Sequence, residues 1–436
     1  MTQTRQMKLG AFLYPYGHHI AAWRDPAGPI DASINFPSYI ELAKTAERGL
    51  FDLIFMADSV TVAGGDNESL RRLSYVAWID PFTLLSGLAA VTSRIGLVCT
   101  ATTTFDQPYL IARRFASLDL TSGGRAGWNL VTSSNPNEAS NFGLDKHMAT
   151  SERYERAFEF AQIVRGLWKS WDDDAFVRDR EACVFSDPEK LHVLDHRGRF
   201  YKVRGPLNVA RSPQGQPVMV QAGASEDGKN LAAETAEVVF TAQPTLNGAK
   251  EFYDDLKSRV SARNRDPDDL KIMPGFFITV GRSKDEAIEK YDRLQKLIHP
   301  EVGVKQLYNL TGFDFSGYPI DGPVPDVPPT KEGSSRTNLL VDMARRNGLT
   351  IRQLYERIAG GRGHYQVCGS PKDVADEMER WFVEGAADGF NVMAPVLPDG
   401  LNDFVDLVIP ELQRRKLFRT EYSGRTLRDH LGLRMQ

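Results

Sequence analysis

The feature that most constrains this chain is an alternation. Short apolar runs of strand length recur, each followed by a longer segment whose apolar residues repeat at helical spacing. That pattern builds parallel βα units, because two parallel strands need a crossover long enough to hold a helix. Eight runs are found: Lys8–Tyr14, Asp52–Met56, Arg94–Thr100, Ala126–Val131, Pro217–Gln221, Glu237–Phe240, Met273–Thr279 and Gly389–Met393. Eight is the number that closes a barrel, so the expected fold class is α/β, a (β/α)8 TIM barrel in a single domain over residues 1–436.

Three stretches exceed plain connections and are read as insertions, after strands 4 and 7: Asn135–Ser151 and Asp172–Gln216 (together about 135–216), and His299–Asp388. In the second, His196-Arg197-Gly198-Arg199 predicts a hairpin turn. In the third, the Pro-, Gly- and Asp-rich Gly317–Thr330 predicts a mobile lid, and Pro371–Glu384 predicts a helix. The chain beyond Pro410, from about residue 415, reads as a basic, polar tail.

Lys and Arg total 53 against 57 Asp and Glu, a net charge of −4 that gives no electrostatic grip on nucleic acid or anionic lipid. Cys99, Cys183 and Cys368 are too few and scattered for a disulfide framework or metal cluster. The first residues show no signal-peptide pattern and the longest apolar run, Leu84–Cys99, is interrupted by polar residues, so a cytoplasmic protein without a membrane span is expected.

In such barrels the active site lies at the C-terminal ends of the strands. Polar residues there are Asp58, Thr102–Thr104, Asn129 with Ser133, and Ser225, while His18 and His19 follow the first strand as candidate proton carriers. Gly223–Asn230 nearly spells a phosphate-binding loop, but Asn230 stands where a Mg²⁺-holding hydroxyl is needed, so a metal-free phosphate monoester fits it better. His192 and His196 lack a third ligand and read as hairpin surface. Ser122-Gly123-Gly124-Arg125 precedes a strand and belongs to the opposite, stabilising end. No strand is followed by a dinucleotide-binding Gly-x-Gly-x-x-Gly.

Four blocks together resemble the bacterial luciferase-like flavin monooxygenases, in the branch of nitrilotriacetate monooxygenase, pristinamycin IIA synthase and dibenzothiophene-sulfone monooxygenase. They are Gly17–Arg24, Thr100–Phe105, Ser117–Asp119 with Ser122–Asn129, and Val220–Ser225. The resemblance implies a barrel that binds reduced FMN (FMNH2) non-covalently, receives it from a separate NAD(P)H-dependent flavin reductase, uses O2 as co-substrate and needs no metal. It implies flavin contacts at Asp58, Thr104 and Asn129, and phosphate contacts at Thr150, Tyr154, Ala224 and Ser225. Relatives often carry His at position 150, so Thr150 removes a positive charge there. His18, His19 and Asn129 are the expected catalytic residues, and Phe12, Trp23, Phe55 and Phe240 the expected pocket walls. The expected reaction oxygenates a small aromatic, organosulfur or amine substrate, with C–S or C–N cleavage as one outcome. An F420- or NAD(P)H-linked oxidoreductase on the same barrel, or a non-catalytic flavin-binding protein, is the alternative. A homodimer or homotetramer is expected.

Overall fold

The structure, a computed structural model, describes residues 5–62, 67–327 and 344–435. Among them eleven strands form: β1 (Lys8–Phe12), β2 (Leu53–Met56), β3 (Gly96–Thr102), β4 (Ala126–Val131), β5 (His196–Arg197), β6 (Lys202–Val203), β7 (Val218–Gln221), β8 (Val238–Thr241), β9 (Lys271–Val280), β10 (Tyr365–Gly369) and β11 (Gly389–Met393). Eight of them pair in parallel in the order β1-β2-β3-β4-β7-β8-β9-β11, and β11 returns to β1. This is the expected (β/α)8 barrel, and each of the eight predicted runs supplies one barrel strand. β5 and β6 form the predicted antiparallel hairpin.

Most of the helices between barrel strands start on side-chain caps, Pro108–Thr121 and Thr150–Leu167 being without one. Asn35, Asp80, Ser225, Thr245, Ser283 and Ser370 each accept a backbone N–H from the first turn of the helix they precede. Along the strands, side chains alternate with period two. Leu9, Ala11, Ile54, Met56, Leu97, Cys99, Trp128 and Phe390 pack outward into the main core under the helices. Phe12, Leu53, Phe55, Val98, Val220, Val238, Phe277 and Met393 form a second cluster inside the barrel.

Two features depart from the sequence reading. The chain beyond Pro410 is not a loose polar tail: Leu427, Leu431 and Leu433 enter the interior cluster and close the barrel's N-terminal end. Their helix, Leu427–Leu431, is fixed by a capping box between Thr426 and Asp429. The third insertion also adds β10, which pairs with β9 at Phe276–Val280. Phe276 and Phe277 register with both β10 and β11, so β10 continues the edge of β9 that β8 uses at Lys271–Pro274.

The rest of that insertion builds a small core of its own from Ile298, Val302, Leu307, Phe315, Ile351 and Tyr355, joined by Ile20 and Ala21 from the first loop. Gly317–Val327 packs there through Ile320 and Val324. Residues 328–330 of the predicted lid lie outside the described residues. Pro371–Val383 is helical as expected, whereas the last barrel helix is interrupted by a π-turn, Phe404–Val408. Pro410, which has no N–H to donate, stands two residues beyond it.

Candidate active site

At the C-terminal mouth the interior side chains divide into a polar and an aromatic half. On the polar half, Thr100 of β3 and Asn129 of β4 are register partners, and Asn129 Nδ2 donates to Thr100 Oγ1 at 2.7 Å. Asn129 Oδ1 is buried and has no hydrogen-bond partner. Thr102 Oγ1 accepts from Ser133 Oγ at 2.9 Å and from the Thr104 amide at 3.1 Å. The Thr104 hydroxyl itself is engaged, donating to the Thr132 carbonyl at 2.6 Å. Asp58, after β2, accepts from Trp78 Nε1 at 3.3 Å. Burial raises its carboxyl above the ordinary value despite that bond.

The aromatic half carries Phe12, Phe55 and Phe240, whose ring centroids lie 4.8–5.4 Å apart. Three of the four expected walls thus meet. Trp23 does not join them: it stands in a separate groove with Ile20, Leu297 and Val302, because the first loop leads away into the insertion core. His18 lies against Phe12, 4.5 Å between centroids, and its Nε2–H donates to the Phe12 carbonyl at 2.9 Å. Burial first, then the Arg362 charge, lowers its pKa to about 3, so His18 is neutral and offers the lone pair of Nδ1, which has no partner. His19 differs. Its Nε2 pairs with Gln295 Oε1 at 3.1 Å and its Nδ1 accepts from the Ala21 amide at 3.2 Å, so both ring nitrogens hold the first loop in place and neither is left to move a proton.

The phosphate-type residues converge from two helices. Tyr154, on Thr150–Leu167, has its hydroxyl 3.2 Å from Oγ of Ser225, the N-cap of Glu226–Thr235. Ala224 and Ser225 are exposed at that helix N-terminus, where free N–H groups and the helix dipole favour an anion. A positive charge lies one turn on from Thr150: Arg153 Nη2 donates to Thr150 Oγ1 at 2.9 Å, its Nη1 donates to the Ser133 and Thr132 carbonyls, and its Nε is buried without a partner. Sequence reasoning missed Arg153, although its i, i+3 spacing from Thr150 places both on one helix face. Lys229 of the near-phosphate-loop segment is not available, being ion-paired with Glu226 and, at 2.6 Å, with Asp255. The hairpin histidines serve as ties, His192 to Asp172 and His196 to Glu159, each at 3.0 Å. Among the described residues no cluster of three His, Cys, Asp or Glu is arranged to hold a metal, and no helix is long and apolar enough to cross a membrane.

The family model described as luciferase-like monooxygenase matches residues 17–389. The chain is 51% identical over 435 residues to N-acetyl-S-(2-succino)cysteine monooxygenase of Bacillus subtilis (strain 168), covering 99% of this chain and 98% of that one. It is 48% identical over 442 residues to nitrilotriacetate monooxygenase component A of Aminobacter aminovorans, with the same coverages. The solved structure of DmoA from Hyphomicrobium sulfonivorans superposes with a TM-score of 0.89 at 34% identity, covering 98% of this chain and 92% of that chain. The chain belongs to the luciferase-like monooxygenase family. It is a flavin-dependent monooxygenase.

Proposed function

We propose that this protein is the oxygenating component of a two-component system, taking up reduced FMN non-covalently from a separate NAD(P)H-dependent flavin reductase and oxygenating a small organosulfur or amine substrate. The observation that carries this reading is the Tyr154 hydroxyl beside Ser225 Oγ at the exposed N-terminus of Glu226–Thr235, a cradle for a phosphate monoester, with Thr150 and Arg153 on the first turn of the same helix as Tyr154 and a mouth whose polar wall has unused acceptors. These residues fit FMN: Arg153, Tyr154, Ser225 and the Ala224 and Ser225 backbone would hold the phosphate, while Asp58, Thr100 and Asn129 would face the ring. When bound, reduced FMN supplies the two electrons with which O2 is split, one oxygen atom entering the substrate and the other leaving as water.

The chain's own part is positioning and exclusion of water. Phe12, Phe55 and Phe240 dry the mouth, which strengthens every polar contact made there. Neutral His18 presents an acceptor at Nδ1 without adding charge. Relatives named for N-acetyl-S-(2-succino)cysteine and for nitrilotriacetate support a sulfur- or nitrogen-bearing substrate, and the designation component A of the latter supports a partner component.

The test is anaerobic titration with FMN and with riboflavin, which lacks the phosphate, followed by mixing with O2. FMN is expected to bind more tightly than riboflavin. Arg153→Met should weaken FMN binding about 10- to 100-fold, the worth of a hydrogen bond from a charged group, and Tyr154→Phe roughly 3- to 10-fold. Equal affinity for both flavins, or reoxidation of reduced FMN at its rate in free solution, would refute the reading and favour hydride chemistry or a non-catalytic role.

A further inference from the structure

We propose that Arg362 makes the aromatic half of the barrel mouth a receptor for a carboxylate carried by the substrate, an inference that rests on the function proposed above. Arg362 comes from the turn Gly360-Gly361-Arg362-Gly363-His364 that leads into β10, far in sequence from the other residues of the mouth. Arg362 and Gly363 are both left-handed, at φ 44° and 88°, a conformation in which arginine is uncommon. The turn curls over the mouth. His364 stacks on Phe240 with 5.1 Å between centroids, in space that only a glycine leaves open: a Cβ on Gly275 would lie 2.4 Å from His364 Nδ1. The Arg362 guanidinium carbon lies 4.7 Å from the centre of the Tyr75 ring and 5.3 Å from that of Tyr14. Tyr14 in turn meets His18 edge-on at 5.0 Å.

What sets this cation apart is its company. Buried arginines elsewhere are paired or fully hydrogen-bonded: Arg428 with Glu237, Arg419 with Asp52, and Arg125 with four backbone carbonyls and the Thr92 hydroxyl. Among the described residues Arg362 meets the rings and hydroxyls of Tyr14 and Tyr75, which accept hydrogen bonds from it, and no carboxylate. His18 beside it is neutral. A guanidinium held in an aromatic setting without a counter-ion is an unfilled site for a planar anion, and its forked donors match the two oxygens of a carboxylate. Arg362, Tyr14, Tyr75, Phe240 and His364 are all only half-buried, whereas Phe12, Phe55 and His18 behind them are buried, so the cation borders an accessible recess. The aromatic walls alone suit an uncharged aromatic or sulfur compound. With Arg362 the recess suits a small thioether or amine that also carries a carboxylate.

The experiment uses the FMN-loaded protein, with thiodiglycolate, a thioether dicarboxylate, and its uncharged dimethyl ester as probes, binding being followed by the change in flavin absorption. The acid is expected to bind at least tenfold more tightly than the ester. Arg362→Asn, chosen because asparagine tolerates positive φ, should abolish that preference, and Arg362→Lys should restore part of it, with FMN affinity unchanged in both. Equal binding of acid and ester, no binding of either, or a preference that survives in Arg362→Asn would overturn the inference while FMN binding persists. Failure of the wild-type protein to bind FMN would instead overturn the proposed function together with the inference built on it.

Discussion

The two mouths of the barrel handle charge in opposite ways. At the N-terminal mouth Asp52, Glu237 and Asp388 each stand immediately before a strand and each accept the N–H of a residue in the neighbouring strand. The pairs are Asp52 with Leu9 at 2.7 Å, Glu237 with Met219 at 3.0 Å and Asp388 with Ile272 at 2.9 Å. Each carboxylate also meets a cation: Arg419 and Arg428 from the C-terminal segment, and Lys257 from the helix Leu246–Ser261. The device is the same three times over: an acid clamps two adjacent strands and a base cancels its charge. At the C-terminal mouth the charges are parted. Among the described residues Asp58 has a tryptophan N–H and no base, Arg362 has two tyrosines and no acid, and Arg153 keeps an unused donor. One end commits its polar groups to the fold, and on the function proposed above the other holds them for ligands.

Breaking a clamp tests the first half of this contrast and carries the largest expected effect. Arg428 is almost wholly buried and pairs with Glu237 Oε1 at 2.5 Å, so Arg428→Met leaves a buried carboxylate without its partner. Loss of about 3–5 kcal/mol in unfolding free energy is expected. The double variant Glu237→Gln/Arg428→Met should recover part of that loss, because no bare charge remains. Urea unfolding of the two variants decides, and equal stability of single and double variants would show that charge cancellation is not what the clamp contributes. In either variant the fraction that stays folded should bind FMN as the wild type does.

Titration separates the two ends next. Burial lowers His18 to about 3 and His19 to about 4, both below the ordinary histidine value. Because the folded pKa is depressed, the unfolded chain takes up the proton first, so these groups remove stability as pH falls from about 6.5 towards 4. Asp119 at the lower end has the opposite sign. Burial raises it to about 6 despite hydrogen bonds from Ser212, the Ala126 amide and Gln214, so the folded protein takes up that proton first. Its contribution therefore adds stability as pH falls from about 6 to about 3.8. Unfolding free energies between pH 6.5 and 4.5 should show a slope reduced by up to about 1.4 kcal/mol per pH unit in His18→Gln and steepened in Asp119→Asn. An unchanged slope in His18→Gln would mean that the ring is charged in the folded protein.

The barrel was legible in the sequence because the alternation of apolar strand and helical segment repeats the same unit eight times, and a repeated local signal survives single errors. The C-terminal plug also carried a signal, Leu427 and Leu431 four apart behind the Thr426–Asp429 capping box, but the surrounding basic residues masked it. β10 was harder: Tyr365–Gly369 is five residues long, only partly buried and ends against Ser370-Pro371. In the site, Phe12, Phe55 and Phe240 were legible because they sit at inward positions of strands whose phase the pattern fixes. Arg362 was not. It lies in a glycine-rich turn whose path depends on a tertiary contact, the stacking of His364 on Phe240, and no local periodicity records it.

Trp23 gives the smallest expected effect and the sharpest control. It follows the first strand as His18 does, yet the 3-10 turn Ala22–Arg24 places it in the groove with Leu297 and Val302 at the edge of the insertion core. If the barrel mouth and that core are separate, Trp23→Ala should cost about 1 kcal/mol of stability, the scale of an average substitution. FMN affinity and the preference for acid over ester should both stay within twofold of wild type. A larger change in either would mean that the insertion core sets the position of the Gly360–His364 turn. Arg362 would then answer to packing in the insertion as well as to the ligand, and the division between a structural and a functional end would no longer hold for the third insertion.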